Sequence, residues 1–128
     1  WLVANRDADT GLLEGNLTTL DAGHAYWVES DRFLNLEFTI PRSTAGHATF
    51  PTVISVYDGW NVVPVGNPAQ SAAGTTIAAA TYFSGLTWSA AYSYDTAANA
   101  YVKIVDGDNV VVGQGYYLYV TKDGVIIP

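Results

Sequence analysis

Two histidines and two acidic loops are the side chains in this chain best placed to bind a metal or move a proton. A zinc site or a general base would need His24 or His47 beside a carboxylate or a second ligand. His24 lies in the segment Gly23-His24-Ala25-Tyr26-Trp27-Val28, which recurs as Gly113-Gln114-Gly115-Tyr116-Tyr117-Leu118. Gln114 therefore stands where His24 stands, which favours a structural or surface role for the histidine. Ser, His and Asp all occur, but no Gly-x-Ser-x-Gly elbow sets up a nucleophile, and the chain is not expected to be an enzyme. Calcium is the remaining metal candidate. Asn5-Arg6-Asp7-Ala8-Asp9-Thr10-Gly11 puts oxygen side chains at alternate positions, making Asp7 and Asp9 candidate ligands. It lacks the Gly and the closing Glu of a helix-flanked calcium loop, where Thr10 and Asn16 stand instead. Asp106-Gly107-Asp108-Asn109 offers Asp106 and Asp108 in a shorter loop. Asx-rich turns also arise without any metal, because Asp and Asn hydrogen-bond their own backbone. No other cofactor is expected.

A second kind of chemistry is stacking. In Tyr116-Tyr117-Leu118-Tyr119, strand geometry sends Tyr117 and Tyr119 to one side and Tyr116 and Leu118 to the other. An exposed aromatic pair could stack on sugar rings, with Tyr117, Tyr119 and Trp27 as candidate residues for carbohydrate. If a second sheet or a neighbouring subunit covers both faces, the same tyrosines are packing residues whose hydroxyls reach the edge. Asn16-Leu17-Thr18 is the one Asn-x-Ser/Thr sequon, so Asn16 is a candidate glycan acceptor in a secreted protein.

The elements that would position these side chains are strands. Segments 25–29, 33–40, 52–57, 60–65, 88–94, 100–105, 116–121 and 125–127 are rich in β-branched and aromatic residues and have strand length. Asp58-Gly59, Asp106-Gly107-Asp108-Asn109 and Lys122-Asp123-Gly124 punctuate them. Leu34, Leu36, Phe38 and Ile40 alternate with Asn35, Glu37 and Thr39, which gives that strand one wet face. The Ala-rich segment 68–82, interrupted by Gly74-Thr75-Thr76, reads as a loop followed by a short helix or a second loop. The fold expected is all-β, an antiparallel β-sandwich or barrel built from two related repeats.

The repeats are residues 1–41 and 88–128. Each runs from a Trp through a Gly-x-small-Tyr-aromatic-aliphatic core to an Ile-Pro, with the core displaced by three residues relative to the ends. A repeated supersecondary unit points to modular architecture more than to one catalytic pocket. By this equivalence Tyr26 and Tyr116 are expected at matching, mostly buried positions.

Asp58-Gly59-Trp60-Asn61-Val62-Val63-Pro64-Val65-Gly66, followed by Tyr92-Ser93-Tyr94-Asp95 and Gly113-Gln114-Gly115-Tyr116-Tyr117-Leu118-Tyr119-Val120, resembles a repeat of archaeal and bacterial S-layer and other cell-surface proteins. In that repeat a Gly-Trp-Asn motif opens the unit, Tyr-x-Tyr-Asp lies in the middle and Gly-x-Gly-Tyr-Trp closes it. Here Tyr117 stands where Trp is common, and Asn5-Arg6-Asp7 replaces Tyr-x-Tyr-Asp in the first copy. The resemblance implies one β domain organised as the rear part of a repeat (1–41), a linker (42–57) and a full repeat (58–128). It also implies extracellular display and structural packing, with no catalytic residues.

Composition agrees with a structural role at a surface. The chain has 128 residues, enough to bury roughly two-thirds of its unfolded surface. It has no Cys, hence no disulfide framework and no thiolate metal site. Starting at Trp1 with no Met, it reads as a processed form or a fragment. The net charge of −7, with no Lys/Arg cluster, argues against nucleic acid. No run of about 20 apolar residues exists to span a bilayer. The expected partners are other copies of the chain, in a polymer or lattice, and glycans. Because the first repeat has no counterpart of the opening strand 60–65, it is expected to be completed by a strand from elsewhere. That strand would be the middle segment 42–65 or one donated by a neighbour.

Overall fold

The computed structural model describes residues 2–6, 13–15, 20, 24–30, 53–66 and 74–128. Nearly all of them lie in strands or tight turns, and the protein is all-β. Three strands make an N-terminal sheet: β1 (Leu2–Arg6), β2 (Leu13–Gly15) and β3 (Trp27–Glu29), in the order β2-β1-β3. The larger part is built from β4 (Ile54–Val56), β5 (Gly59–Pro64), β6 (Thr76–Ala78), α1 (Ala79–Tyr82), β7 (Trp88–Asp95), β8 (Ala100–Ile104), β9 (Asn109–Val111), β10 (Gly115–Val120) and β11 (Gly124–Ile126). Its central sheet has the order β5-β10-β7-β8, and the ribbons β11-β4 and β6-β9 complete it. All pairings are antiparallel.

Period-two alternation on β10 decides which side of the central sheet is buried. Tyr116, Leu118 and Val120 point into the core, where Val63, Ala91 and Ile104 join them from the neighbouring strands. Against this face pack Ile54, Val56 and Ile126 from one ribbon, Val110 and Val112 on and beside the other, and Ala79, Tyr82 and Phe83 at the short helix. Tyr82 and Tyr116 keep their hydroxyls satisfied in the interior. The Tyr82 hydroxyl donates to the Pro64 carbonyl and accepts from the Gly66 N–H, both at 3.1 Å. The Tyr116 hydroxyl accepts from the Val111 N–H at 2.8 Å and donates to Gln114 Oε1 at 3.1 Å. Burial is the main reason both phenols are pushed above their ordinary pKa.

Asn61, 5% exposed, is the buried polar side chain of this core. Its Oδ1 accepts from the Tyr57 N–H at 2.9 Å, and its Nδ2 donates to the carbonyls of Tyr57 (2.7 Å) and Gly59 (3.1 Å). Gly59, at φ +98°, supplies the left-handed residue of the same β4–β5 turn. The Gly-Trp-Asn segment is thus a turn lock, and the Asp58 N–H donating to Asp123 Oδ1 fastens it to the β10–β11 turn.

The structure corrects three expectations. The barrel alternative fails, because the central sheet is open and runs out at β5 and β8. The linker assigned to 42–57 contains β4, whose Ile54 and Val56 are core residues paired with β11, so the second unit begins before residue 58. In the Ala-rich segment, residues 76–78 form strand β6 before a single helical turn, because Thr76 and Ile77 are β-branched and pair with Val111 and Val110. The strand expected over 33–40 lies outside the described residues. The described part of the middle segment pairs with β10 and β11, so it completes the second half.

The two sheets share a plan. Under one constant shift of residue number, the pairs Ala4↔Gly15, Asn5↔Glu14 and Arg6↔Leu13 become Tyr92↔Lys103, Ser93↔Val102 and Tyr94↔Tyr101. The β1–β3 pairs Ala4↔Trp27, Val3↔Val28 and Leu2↔Glu29 correspond to Tyr92↔Tyr117, Ala91↔Leu118 and Ala90↔Tyr119, with the same shift on β1 and one two residues larger on β3. The order β2-β1-β3 therefore matches β8-β7-β10. Tyr26 and Tyr116 are not environmentally equivalent, however: Tyr116 is 1% exposed, whereas Tyr26 is half-buried just before β3.

Candidate functional site: an aromatic face

The side of the central sheet turned away from the core is lined with rings. Alternation puts Trp60 of β5, Tyr117 and Tyr119 of β10, Tyr92 and Tyr94 of β7 and Tyr101 of β8 on this one face. Register brings them together: Tyr119 lies opposite Trp60, Tyr117 opposite Tyr92, and Tyr94 opposite Tyr101. Two clusters result. In one, Trp60 meets the Tyr119 ring edge-on at 5.2 Å and the Tyr92 ring at 6.0 Å. In the other, Trp27 arrives from the N-terminal sheet and sits among three tyrosines. Its centroid lies 4.6 Å from Tyr94 in a T-shaped contact, 6.4 Å from Tyr101 in a stacked one and 6.3 Å from Tyr117. The tyrosines also touch one another, Tyr94–Tyr101 at 5.1 Å and Tyr101–Tyr117 at 5.6 Å.

The backbone makes room for this contact at Gly115. A Cβ there would lie 3.0 Å from the Ala25 Cβ, closer than side chains normally pack, so the glycine lets the segment before β3 settle onto β10. Gly113 serves the local turn instead, at φ +91° and with its N–H donating to the Val65 carbonyl. The two glycines of the Gly-x-Gly-Tyr segment thus have separate tasks.

Partial burial in the cluster under Trp27 changes the acidity of Tyr117. Burial, then the charge and hydrogen bond of the neighbouring Tyr101 phenol, push Tyr117 up to about 12. Tyr94 donates its hydroxyl to Asn99 Oδ1 in the β7–β8 turn, which anchors the outer wall of the cradle. Lys103, opposite Tyr92, is the cation on this face, and it is exposed. These groups are suited to stacking and packing.

Of the carbohydrate candidates, Trp27, Tyr117 and Tyr119 share one side of the sheet, and the Trp27 and Tyr117 rings lie 6.3 Å apart. The metal candidates Asp106 and Asp108 lie in the β8–β9 turn. There Asp108 Oδ2 accepts from the Val105 N–H at 2.9 Å, and the Asp108 N–H donates to the Val105 carbonyl. Among the described residues no group of three or more His, Asp or Glu could hold a metal ion. The turn by itself accounts for Asp108. Asp7, Asp9, Asn16 and His47 lie outside the described residues. His24 is exposed, its ring 6.4 Å from that of Tyr26.

Trp60, Tyr92, Tyr94 and Tyr101 were not singled out from sequence as members of this face. Their signal was present in the Tyr-x-Tyr spacing of 92 and 94, which repeats that of 117 and 119. What was missing was the pairing that puts the two dyads side by side. Among the described residues no helix is long and apolar enough to cross a membrane. No family model matches the chain, and neither a similar curated protein nor a similar solved structure was found.

Proposed function

We propose that this chain is an extracellular structural module of a surface-layer or filament-forming protein, self-assembling through β-strand and aromatic contacts and performing no catalysis. The observation that carries this reading is the seat of Trp27: a cluster of Trp27 with Tyr94, Tyr101 and Tyr117 joins one repeat to the other. Trp27, Tyr94 and Tyr117 are partly buried against one another, which supports packing over an open sugar-binding platform. Further apolar side chains stay exposed for contacts between chains, among them Val53, Tyr57, Val125 and Ile127 around the β4–β11 ribbon. The acidic, Cys-free composition and the resemblance to cell-surface repeats fit the same role. Electron microscopy of the purified protein tests it. Filaments or a lattice are the expected result, and dispersed monomers at every concentration would overturn it.

One observation favours the alternative of a carbohydrate-binding module. Trp60 is 44% exposed while Tyr119 and Tyr92 hold its ring in place, so it could stack on a pyranose. Quenching or a blue shift of Trp60 fluorescence by soluble glycans, lost in Trp60→Ala, would favour that reading.

A further inference from the structure

The contact between the two repeats includes two pairs of corresponding residues. In the aligned segments Ala25 occupies the position of Gly115, and Trp27 that of Tyr117. Ala25 packs on Gly115, and Trp27 on Tyr117. Like meets like at these two pairs, while Trp27 also contacts Tyr94 and Tyr101, whose counterparts in the first repeat are Arg6 and Leu13. Among the described residues no ladder joins the two sheets, and the buried core cluster contains no residue of the first repeat. Among the described residues the halves meet across a face that can open while every described strand pair stays intact.

We propose that this docking is exchangeable: the first repeat of one copy of the chain seats its Trp27 in the Tyr94–Tyr101–Tyr117 cradle of a second copy, and chains link by trading first repeats. Exchange conserves each contact and sacrifices only the advantage of the tether, so it grows with protein concentration. Each chain carries one plug and one cradle. Mutual exchange closes a dimer, and one-way exchange passed from chain to chain extends a polymer. The inference rests on the self-assembly reading above and names the surface it would use.

The absence of cysteine makes the test clean. A disulfide needs Cβ atoms about 3.5–4.5 Å apart, which a slight opening of the Ala25–Gly115 contact provides. The Ala25→Cys, Gly115→Cys double variant, oxidised in dilute solution, should give a cross-linked monomer. Oxidised after incubation at high concentration, it should give a ladder of disulfide-linked dimers and higher species on a non-reducing gel, and adding Trp27→Ala should suppress the ladder. Far-UV circular dichroism checks that the variant carrying Trp27→Ala keeps its strands. A cross-linked monomer alone at every concentration would overturn exchange, as would a ladder indifferent to Trp27→Ala. Microscopy separates the two ideas. If the chain locked as a cross-linked monomer assembles as the native chain does, exchange is wrong and the self-assembly reading stands. A ladder from a chain that builds no filament or lattice supports exchange and counts against that reading.

Discussion

The two repeats have the same strand order and register but use their matching strands β3 and β10 differently. In the second, β10 offers Tyr116, Leu118 and Val120 to a core that includes Phe83, Val56 and Ile126. In the first, β3 has its Trp27 side against the partner repeat and its opposite side, at Val28, open. The second repeat thus has its own interior, and Trp27 of the first leans on it. The common register shows how little of a sheet's plan depends on which side chains cover it.

The comparison is broken most sharply at the matching tyrosines. Tyr116→Ala should cost about 3–5 kcal/mol, as large aromatic truncations in cores do, and it also removes the partner of the Val111 N–H. Tyr26→Ala, at the half-buried counterpart, should cost about 1 kcal/mol, the central effect of an ordinary substitution. Chemical denaturation of the two variants checks this, and equal losses would restore the full equivalence that the repeat suggests from sequence. A smaller effect is expected at the turn lock. Asn61→Ala leaves the Tyr57 N–H and the Tyr57 and Gly59 carbonyls without their side-chain partner, which should cost about 1–3 kcal/mol. The same denaturation series reads it.

Much of this was legible in the residues. Strands β4, β5, β7, β8, β10 and β11 fall within a residue or two of the segments expected, because Val, Ile and Tyr runs closed by Asp-Gly turns leave the backbone few alternatives. Strands β1, β2, β6 and β9 were not anticipated. Leu13–Gly15, Thr76–Ala78 and Asn109–Val111 are three residues each, too short for alternation to show. Leu2–Arg6 carries an Arg and an Asn that lower its strand propensity and is held by neighbours on both sides. The aromatic face was half legible. Tyr117, Tyr119 and Trp27 could be selected by type and spacing, but only the β7–β10 register brings in Tyr92, and only the β7–β8 register brings in Tyr101.

Acidity should report on the same face. Tyr117 ionises at about 12 in the folded chain, against about 10 in an unfolded one. A phenol whose folded pKa is raised stabilises the fold fully below pH 10, and that contribution drains away as pH rises from 10 toward 12. Stability should therefore fall across this window, with Tyr82 and Tyr116 shifting in the same direction. In Trp27→Ala, water reaches the cradle, and ultraviolet titration of tyrosinate should show one phenol fewer titrating late.

The claim that corresponding positions of the two repeats meet is tested most directly by a double-mutant cycle between Trp27 and Tyr117. A coupling energy of about 0.5–1.5 kcal/mol is predicted, the usual worth of an aromatic pair. The parallel cycle between Trp27 and Tyr119, whose ring lies in the Trp60 cluster, should give a coupling near zero. No coupling between Trp27 and Tyr117, or equal coupling in both cycles, would contradict the account.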